Sequence, residues 1–506
     1  EKTPPRRLPP SRVAIVQSDK PTAKEITYED IRAMVREAVR LAGGFEGLIK
    51  DGMVVVLKPN LVSINDFTLP NWRGRRLAVE ANGVTTDWRV TRAVVELVRE
   101  YNPNGKVYVM EGSSASTRAA YRHFNYNHDS IPGVDEFIAI EEDSGGWREG
   151  DSPRLVKVKL PQGMLKKEYY LNRRFKEADV VISLPCLKNH WHAAVTGGIK
   201  NLAIGATPSN IYGTAPNILD RLNAVNHESD DLHKWIHDYY LCRPADFVIM
   251  DGLQGIQNGP TPSFELSGTD RIEKDQMNMR LILAGRDAVA VDTIEALLMG
   301  WDPESVNYLR YLNRDGAGNL DVACIEVVGK DVADARKDFA GVRPPAGGKK
   351  IKDKTGPKFS VRKAEWSGDR LRLSLNVDDE TKKVLVDVGG KMYMVTGGFA
   401  DFSLEITGEK PHTIKILAYD RFLNRSERTL DLEFSANAEA TTGALEGAGL
   451  RDGDYRAPRA ARAPVVDGIG DDVCWAGAAQ MPVSIIAGIV RRPDSGSPRT
   501  RRLRGP

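Results

Sequence analysis

Residues 180–205 read VVISLPCLKNHWHAAVTGGIKNLAIG, an apolar run that changes abruptly to polar side chains. The run at 180–187 has the composition of a buried strand. The polar residues that follow it are Lys188, Asn189, His190, Trp191 and His192, then a Gly-containing turn, then Lys200 and Asn201. Ligands bind at the carboxyl ends of strands in an open α/β sheet. The stretch therefore predicts a cationic, donor-rich site at such an end; the alternative is a solvated loop after a buried strand.

A second apolar run ends in a similar way. Residues 53–57 predict a continuous buried strand, and Lys58, Pro59 and Asn60 follow it. If the two strands are parallel neighbours, their polar ends meet at one edge of the sheet. Lysines gathered there would attract a carboxylate or phosphate, because each ammonium is a point charge with three donors. For each lysine alone, the alternative is a solvated surface charge.

The predicted site has a catalytic part and a binding part. Lys188 and His190 are the catalytic candidates, since crowded cations would lower their pKa values and leave either able to act as a base near neutral pH. The binding candidates are Lys58 and Lys200 for the anionic group, Asn60 and Asn201 for orientation, Thr196 in a turn, and Asp251 after another strand. Backbone N–H groups of Thr196, Gly197 and Gly198, before a helix, would face the same anion.

Other titratable residues allow more than one interpretation. Asp292 lies in an apolar helical segment, where it would pair with a site lysine or face solvent. His233 and His237 share a helix face at i and i+4, a spacing that can hold zinc, but HKWIH lacks the Glu of a zincin motif, so packing roles are favoured. For His190, a metal role stays open. The sequence leaves open whether a metal is bound.

The chain has no nucleotide-binding motif and no cysteine motif. No GxGxxG follows the first strand and no Walker A sequence is present, so a nucleotide cofactor is not indicated, and the cofactor is unknown. The four cysteines form no CxxC pair, so neither an iron–sulfur cluster nor a structural zinc site is signalled. The net charge of +2 argues against a nucleic-acid partner. No apolar run is long enough for a transmembrane segment, and the oligomeric state is open.

Alternating strands and helices over residues 12–335 predict an α/β domain with a mostly parallel sheet covered by helices on both faces. Strands are predicted at 13–16, 53–57, 106–110, 180–187, 247–250, 281–284 and 324–328, and helices at 28–41, 90–98 and 288–299. Residues 336–356, rich in Pro, Gly and Lys, predict a linker. Short alternating strands over 357–436 predict a small all-β sandwich.

Several motifs follow one another along residues 12–330: VVVLKPNLV, GVTTDWRVTRAVVELV, KVYVMEGSS, the stretch at 179–205, DFVIMDGLQGIQNGP and GRDAVAVDTIEALLMG. In this combination the region resembles the Domain of Unknown Function 362 family. The resemblance implies an α/β fold with a site on its loops and little about the reaction. Many members carry a ferredoxin-like segment with clustered cysteines, and this sequence has no such cluster, so a built-in electron-transfer role is not expected.

The C-terminal part resembles extracellular modules. Residues 412–434 resemble the last two strands of bacterial immunoglobulin-like or fibronectin-like modules, with Ala418, Asp420 and Asn424 at the turn. Residues 437–463 predict a second linker. Residues 464–506 resemble the opening of a family-nine-like carbohydrate-binding module and are predicted to be a truncated start with a disordered Arg-rich tail; the matching residues are Asp467, Gly468, Asp471, Asp472 and Trp475.

The combined prediction is an exported protein with a Lys/His/Asn site for a small anionic substrate. It would be an enzyme, metal-assisted or metal-free; the alternative is a non-catalytic, extracytoplasmic anion- or glycan-binding protein. Residues 1–11 predict a disordered lead of the kind that follows a signal-peptide cleavage site, and immunoglobulin-like modules usually serve exported chains. The expected location is therefore periplasmic or secreted.

Overall fold

The computed structural model describes residues 8–62, 78–114, 116–213, 225–259, 275–341, 348–407 and 410–432. These described residues form one compact unit. The predicted lead at 1–11 is described only from residue 8, and Ser11 already belongs to the first strand. The predicted second linker at 437–463 and truncated module at 464–506 lie outside the described residues.

Strands and helices alternate through the first part of the chain. The strands are β1 (Ser11–Gln17), β2 (Val54–Pro59), β3 (Lys106–Glu111), β4 (Glu136–Ala139), β5 (Leu155–Lys159), β6 (Glu168–Asn172), β7 (Val180–Leu184), β8 (Cys186–His190), β9 (Ala194–Val195), β10 (Phe247–Ile256), β11 (Leu281–Gly285), β12 (Trp301–Asp302) and β13 (Ile325–Gly329). The helices are α1 (Tyr28–Leu41), α2 (Trp88–Tyr101), α3 (Thr117–His123), α4 (Ile140–Asp143), α5 (Arg173–Glu177), α6 (Gly197–Gly205), α7 (Ser209–Tyr212), α8 (Asp231–Cys242), α9 (Ala288–Leu298), α10 (Asn307–Arg314) and α11 (Val332–Ala335).

Within the described residues, the central sheet has ten strands. Its main order is β13-β1-β11-β10-β7-β2-β3-β4, and β8 pairs with β10 and β9. Strands β10, β7, β2, β3 and β4 are parallel along this path, and β1 is parallel to β13. Only β11 of the main path runs the other way, antiparallel to β1 and β10. The predicted fold class is confirmed, and the carboxyl ends of β3, β2, β7 and β10 lie at one edge.

Helices cover both faces because successive strand residues point to opposite sides. In β2, Val55 and Leu57 join the core that contains α1 and α2, whereas Val56 joins the core that contains α6, α8 and α9. Side-chain caps begin several of these helices. Asp87 caps α2 and Asp287 caps α9 by accepting backbone N–H groups of the first turn.

Three strands differ from their predicted bounds in ways that matter for the site. The single strand predicted at 180–187 is divided at Pro185, which has no N–H to donate; the chain leaves β7 there and continues as β8 beside β10. Lys188 and His190 therefore lie within β8, not in a loop after a strand. Strand β2 continues to Pro59 and β10 to Ile256, so Lys58 and Asp251 are strand residues.

The second part of the chain consists of antiparallel strands, as predicted. They are β14 (Lys349–Lys350), β15 (Phe359–Ser367), β16 (Arg370–Val377), β17 (Lys383–Val388), β18 (Lys391–Val395), β19 (Phe402–Glu405), β20 (Thr413–Tyr419) and β21 (Arg425–Asp431). Sheets β15-β16-β19 and β18-β17-β20-β21 enclose a core of their own. Asp420 and Asn424 form the turn between β20 and β21, where Asn424 Nδ2 donates to Asp420 Oδ2 over 2.8 Å.

Contacts join the α/β part to these β-sheets. Arg336, just after α11, donates to Asn424 Oδ1 over 2.6 Å and to the backbone oxygen of Phe422. Lys383 Nζ donates to the backbone oxygen of Ile325 over 2.7 Å. Within the predicted linker at 336–356, Phe339 is buried in the α/β core and β14 pairs with β12. Among the described helices, none is long and apolar enough to cross a membrane.

Candidate functional site

Lys58 is the most deeply buried cation of the predicted site. It follows Leu57 in β2 and so points to the α6 face of the sheet. Its Nζ donates to Glu111 Oε1 over 2.9 Å, to the Pro59 oxygen over 2.6 Å and to Asn201 Oδ1 over 3.3 Å. Lys58 is 0% exposed. Because Glu111 supplies the opposite charge, Lys58 is a fixed part of the framework.

Asn201 of α6 connects strands β2 and β7. Its Nδ2 donates to the Lys58 backbone oxygen over 2.8 Å and to Ser183 Oγ over 3.1 Å. Its Oδ1 accepts from Lys58 Nζ and from Asn60 Nδ2, each over 3.3 Å. Both ends of the amide are therefore engaged, and Asn201 fixes the positions of its neighbours.

Lys188 joins the same network from β8. Its Nζ donates to Asn60 Oδ1 over 3.2 Å and to the Val84 oxygen over 2.5 Å. Asn60 thus lies between Lys188 and Asn201, and Asn201 lies between Asn60 and Lys58. The structure brings all four residues together at the carboxyl ends of β2 and β8, as the sequence predicts.

His190, two residues along β8, has an unusual environment. Its Nδ1 accepts the backbone N–H groups of His192 over 3.1 Å and of Ala193 over 3.2 Å. Its ring centroid lies 6.1 Å from that of His192 and 6.4 Å from that of His227. Burial holds the pKa of His190 well below its usual range, and the charge of Lys200 lowers it further. The direction matches the sequence prediction, although burial and not cation crowding is the largest cause.

The turn from β8 to β9 ends in a strained residue, Ala194. Strand β9 folds back on β8, with Ala194 opposite His190. Ala194 has a φ of 66°, in the left-handed region that an alanine rarely occupies. Such strain is found where the surrounding structure holds a functional segment in place. The conformation keeps the backbone N–H groups of His192 and Ala193 directed at the imidazole.

The N-terminus of α6 is occupied by a side chain of the protein itself. Asp292 of α9 accepts the N–H groups of Gly198 over 2.7 Å and Ile199 over 3.2 Å. The expectation that the Gly198 N–H faces a substrate anion is therefore wrong, because an internal carboxylate takes the favourable position at the helix N-terminus. Asp292 is fully buried, so it neither faces solvent nor pairs with a site lysine in these contacts. Burial raises its pKa to about 7.

Thr196 and Lys200 flank this helix start. Thr196 is buried, and its hydroxyl makes no hydrogen bond with the described residues. Lys200 of α6 is 8% exposed and near enough to lower the pKa of His190. Both residues therefore belong to the same neighbourhood as Lys188 and His190.

Asp251, in β10, accepts hydrogen bonds from backbone groups and not from the lysines or asparagines of this cluster. Its carboxylate accepts the N–H of Asp87, at the start of α2, over 2.8 Å. It also accepts the N–H of Leu253, in β10 itself, over 3.0 Å. Helix α2 lies on the face opposite to α6. Burial, followed by the charge of Asp87, raises the pKa of Asp251 to about 7. These contacts give Asp251 a structural role at the start of α2, so the predicted substrate-binding role is not assigned to it.

The remaining histidine candidates have packing partners. His237 contacts Asp238 through Nδ1 over 2.7 Å and Asp315 through Nε2 over 3.0 Å. His233 stacks on Tyr308 and accepts its backbone N–H over 3.3 Å. These contacts agree with the favoured packing roles. Across the part of the chain that the structure describes, no group of three or more His, Cys, Asp or Glu side chains is arranged to hold a metal ion.

Sequence reasoning missed two acidic residues of the site. Glu111 ends β3, the strand beside β2, and its position at a strand end was the available signal. Glu295 lies one helical turn after Asp292 and is fully buried. Its oxygens make no well-formed hydrogen bond with the described residues, although the backbone N–H groups of Gly197 and Lys188 are close. Burial, and next the charge of Asp292, raise the pKa of Glu295 well above its usual range.

Comparison with known proteins supports the sequence resemblance over the α/β part. Residues 55–296 match the family described as "Domain of unknown function (DUF362)". A thylakoid-associated protein of Synechocystis sp. is 24% identical over 288 residues, which cover 55% of this chain and 74% of that protein. The immunoglobulin-like and carbohydrate-binding-like resemblances stay predictions.

Solved structures give only loose superpositions. The lactate racemase apoprotein from Thermoanaerobacterium thermosaccharolyticum superposes with a TM-score of 0.29 at 12% identity, over 51% of this chain and 52% of that one. The catalytic module of the metalloprotease ZmpA from Clostridium perfringens gives 0.14 at 16% identity, over 28% of each chain. This chain thus spans about half of the racemase structure and less of the protease module. The fold described above follows from the strand order and hydrogen bonds of this chain alone.

Proposed function

We propose that this chain is an enzyme that acts on a small anionic substrate at the carboxyl edge of strands β2 and β8. Lys188 and His190 contact the reacting group, Lys200 attracts the anion, and Asn60 and Thr196 complete the site. The observation that carries the proposal is the hydrogen-bonded series Lys58–Asn201–Asn60–Lys188, which joins β2, α6 and β8. In a parallel sheet this edge is the usual position of a ligand.

The pairing of Lys58 changes its role in this proposal. The sequence suggests that Lys58 and Lys200 hold the anion together, but Lys58 is buried against Glu111. A lysine whose charge is already balanced contributes little further attraction. Lys58 therefore positions Asn201 and Asn60, while Lys188 and Lys200 supply the positive field around His190.

Catalysis is favoured over simple binding by the titratable groups that meet here. The pKa of His190 is lowered. The pKa values of Asp292 and Glu295, two residues of α9 that face the start of α6, are raised. Opposite shifts in neighbouring groups are typical of sites that hold and move protons. A non-catalytic anion-binding protein is the second candidate, because the network around Asn201 is rigid and would bind an anion without any chemistry.

Anion binding is the first test of the proposal. Acetate, 2-hydroxy carboxylates, inorganic phosphate and sulfate are titrated into the full chain by calorimetry, with Lys188→Met and Lys200→Met as site variants. Lys352→Met, at an exposed position, is the matched control. We expect at least one anion to bind the wild-type and control chains and to bind the site variants at least tenfold more weakly. Equal binding by all four chains would contradict the site.

Turnover is the second test. Each bound anion is incubated in D2O with the wild-type chain and with Lys188→Met, and the products and any carbon-bound deuterium are followed by NMR. Conversion or exchange that Lys188→Met loses supports the enzyme. Binding with no chemical change for any anion of the panel favours the non-catalytic candidate.

We also propose that the protein works outside the cytoplasm. The support is the predicted immunoglobulin-like character of residues 357–436, whose described strands form antiparallel sheets as that prediction requires. Fractionation of cells that express the native gene tests this: recovery with periplasmic or secreted proteins is expected, and recovery only with cytosolic markers would contradict it.

A further inference from the structure

The two ring nitrogens of His190 have different surroundings. Nδ1 accepts two backbone N–H groups, from His192 and Ala193. A neutral imidazole carries its single proton on one nitrogen, and the other nitrogen is the acceptor. An Nδ1 that faces two donors must be the acceptor, so the proton resides on Nε2. We infer that His190 acts as a neutral hydrogen-bond donor, through Nε2–H, to an oxygen of the bound anion, and that it is not the general base.

The position of Nε2 suits this role. Nε2 makes no hydrogen bond with the described residues, and it is not fully buried. His190 as a whole is 6% exposed, so this edge of the ring is the part that a small molecule can reach. The titratable groups that act on the ring are Lys200, His227, His192 and Lys188. An anion attracted by these groups would meet the Nε2–H.

A base at this position would need the opposite tautomer. Moving the proton to Nδ1 would place three N–H groups against one another and lose both backbone hydrogen bonds. Protonating both nitrogens is disfavoured as well, since burial and the neighbouring cations lower the pKa of the ring. The neutral Nε2–H form is therefore the one that the fold selects, and it needs no rearrangement when a ligand arrives.

This role specifies the ligand chemistry, and it rests on the proposed function. A neutral N–H in the positive field of Lys188 and Lys200 matches an oxyanion, either a carboxylate or a phosphate. It stabilises most an oxygen on which charge grows in the transition state. The base, if the reaction needs one, must then be another group of the site, and acetate and inorganic phosphate are the probes that separate the two oxyanion sources.

The tautomer can be measured without any ligand. The full chain is labelled with 15N-histidine, and long-range 1H–15N spectra are recorded near neutral pH, with His190→Gln used to assign the His190 signals. We expect an Nε2–H tautomer with unprotonated Nδ1. An Nδ1–H tautomer or a fully protonated ring would overturn the inference, whatever the protein binds.

Two isosteric variants test the donor itself. In His190→Asn the amide oxygen can still accept from the backbone of residues 192 and 193, but no donor reaches the Nε2 position. In His190→Gln the amide nitrogen reaches that position. We expect His190→Asn to weaken acetate or phosphate binding at least tenfold and His190→Gln to recover part of the loss. Equal loss in both variants, with the fold intact by circular dichroism, would overturn the donor role.

The two proposals fail in distinguishable ways. If neither acetate nor phosphate nor any other anion of the panel binds the wild-type chain, the proposed function fails and the donor role fails with it. If anions bind and His190→Asn binds them as well as wild type, the site stands and only the inference about His190 is overturned.

Discussion

Lys58 and Glu111 form an ion pair in which both side chains are buried, with 2.9 Å between Nζ and Oε1. The pair joins adjacent parallel strands at their carboxyl ends, and Glu111 Oε2 also accepts the N–H of Leu61 over 2.8 Å. Two opposite charges taken out of water stabilise a fold only while both are present. The pair therefore stabilises the carboxyl ends of β2 and β3 only when both side chains are present.

Removing one partner of this pair should cost more than removing both. We expect Lys58→Met to lower the free energy of unfolding by about 3–5 kcal/mol, because it leaves an uncompensated carboxylate in the core. The double variant Lys58→Met/Glu111→Gln should recover much of that loss. Urea denaturation of wild type and both variants measures this, and a double variant that is no more stable than the single one would contradict it.

Gly205 gives a way to displace Lys58 without changing its charge. A Cβ atom at Gly205 would lie 2.6 Å from Lys58 Nζ. We expect Gly205→Ala to push the ammonium away from Asn201 and to weaken anion binding roughly tenfold, the worth of one charge-assisted hydrogen bond. Titration calorimetry measures the affinity.

The matched control for that variant is Gly397→Ala, in the loop between β18 and β19. A Cβ there meets nothing within 4 Å, and neither glycine has a positive φ. Helix propensity should offset part of any stability loss in Gly205→Ala, because Gly205 ends α6. If Gly205→Ala and Gly397→Ala bind the anion with the same affinity, the position of Lys58 does not affect anion binding and the prediction is wrong.

Two buried carboxyl groups should make the protein less stable as the pH rises. Asp251 and Asp292 have pKa values raised from 3.8 to about 7. Between about pH 4 and 7 the folded chain holds protons that the unfolded chain has lost, so the free energy of unfolding falls with increasing pH, by at most about 4 kcal/mol per group. Asp251→Asn and Asp292→Asn should each flatten this slope.

The slope, and not the absolute stability, is the quantity to compare for these variants. Each substitution also removes an acceptor of backbone N–H groups and so lowers stability at every pH. Asp19→Asn, at an exposed position, is the control and should leave the slope unchanged. The free energy of unfolding is measured from pH 4 to 8. If it changes with pH by the same amount in wild type and in both buried variants, these two carboxyl groups do not cause the pH dependence.

Arg336 should hold the β-sheets against the α/β part. It is partly buried and donates to Asn424 Oδ1 and to the Phe422 oxygen in the β20–β21 turn. We expect Arg336→Ala to cost about 2 kcal/mol or more, because two acceptors lose a charged donor. Arg421→Ala is the control, since Arg421 contacts Glu304 and Asp302 of the α/β part from an exposed position, where ion pairs contribute about 0–1 kcal/mol. Equal melting temperatures for the two variants would contradict this assignment.

Local pattern alone was enough for the architecture and for much of the site. Continuous apolar runs and helical spacing predicted the parallel sheet with helices on both faces, and the helix predicted at 28–41 has the same bounds in the structure. Lys58 and Lys188 could be assigned to one edge because each follows a buried run, and in parallel strands those ends coincide. These features depend on neighbours within a few residues, which the sequence displays directly.

Only the tertiary structure determined which partner each charged side chain contacts. Lys58 meets Glu111 across 53 positions and Asn201 across 143, and Asp292 reaches the start of α6 across 94. Such partners depend on strand order and on the face to which a side chain points, and a one-residue change in where a strand ends reverses that face. The division of one apolar run at Pro185 is such a change: it places Lys188 and His190 in a second strand, β8, beside β10.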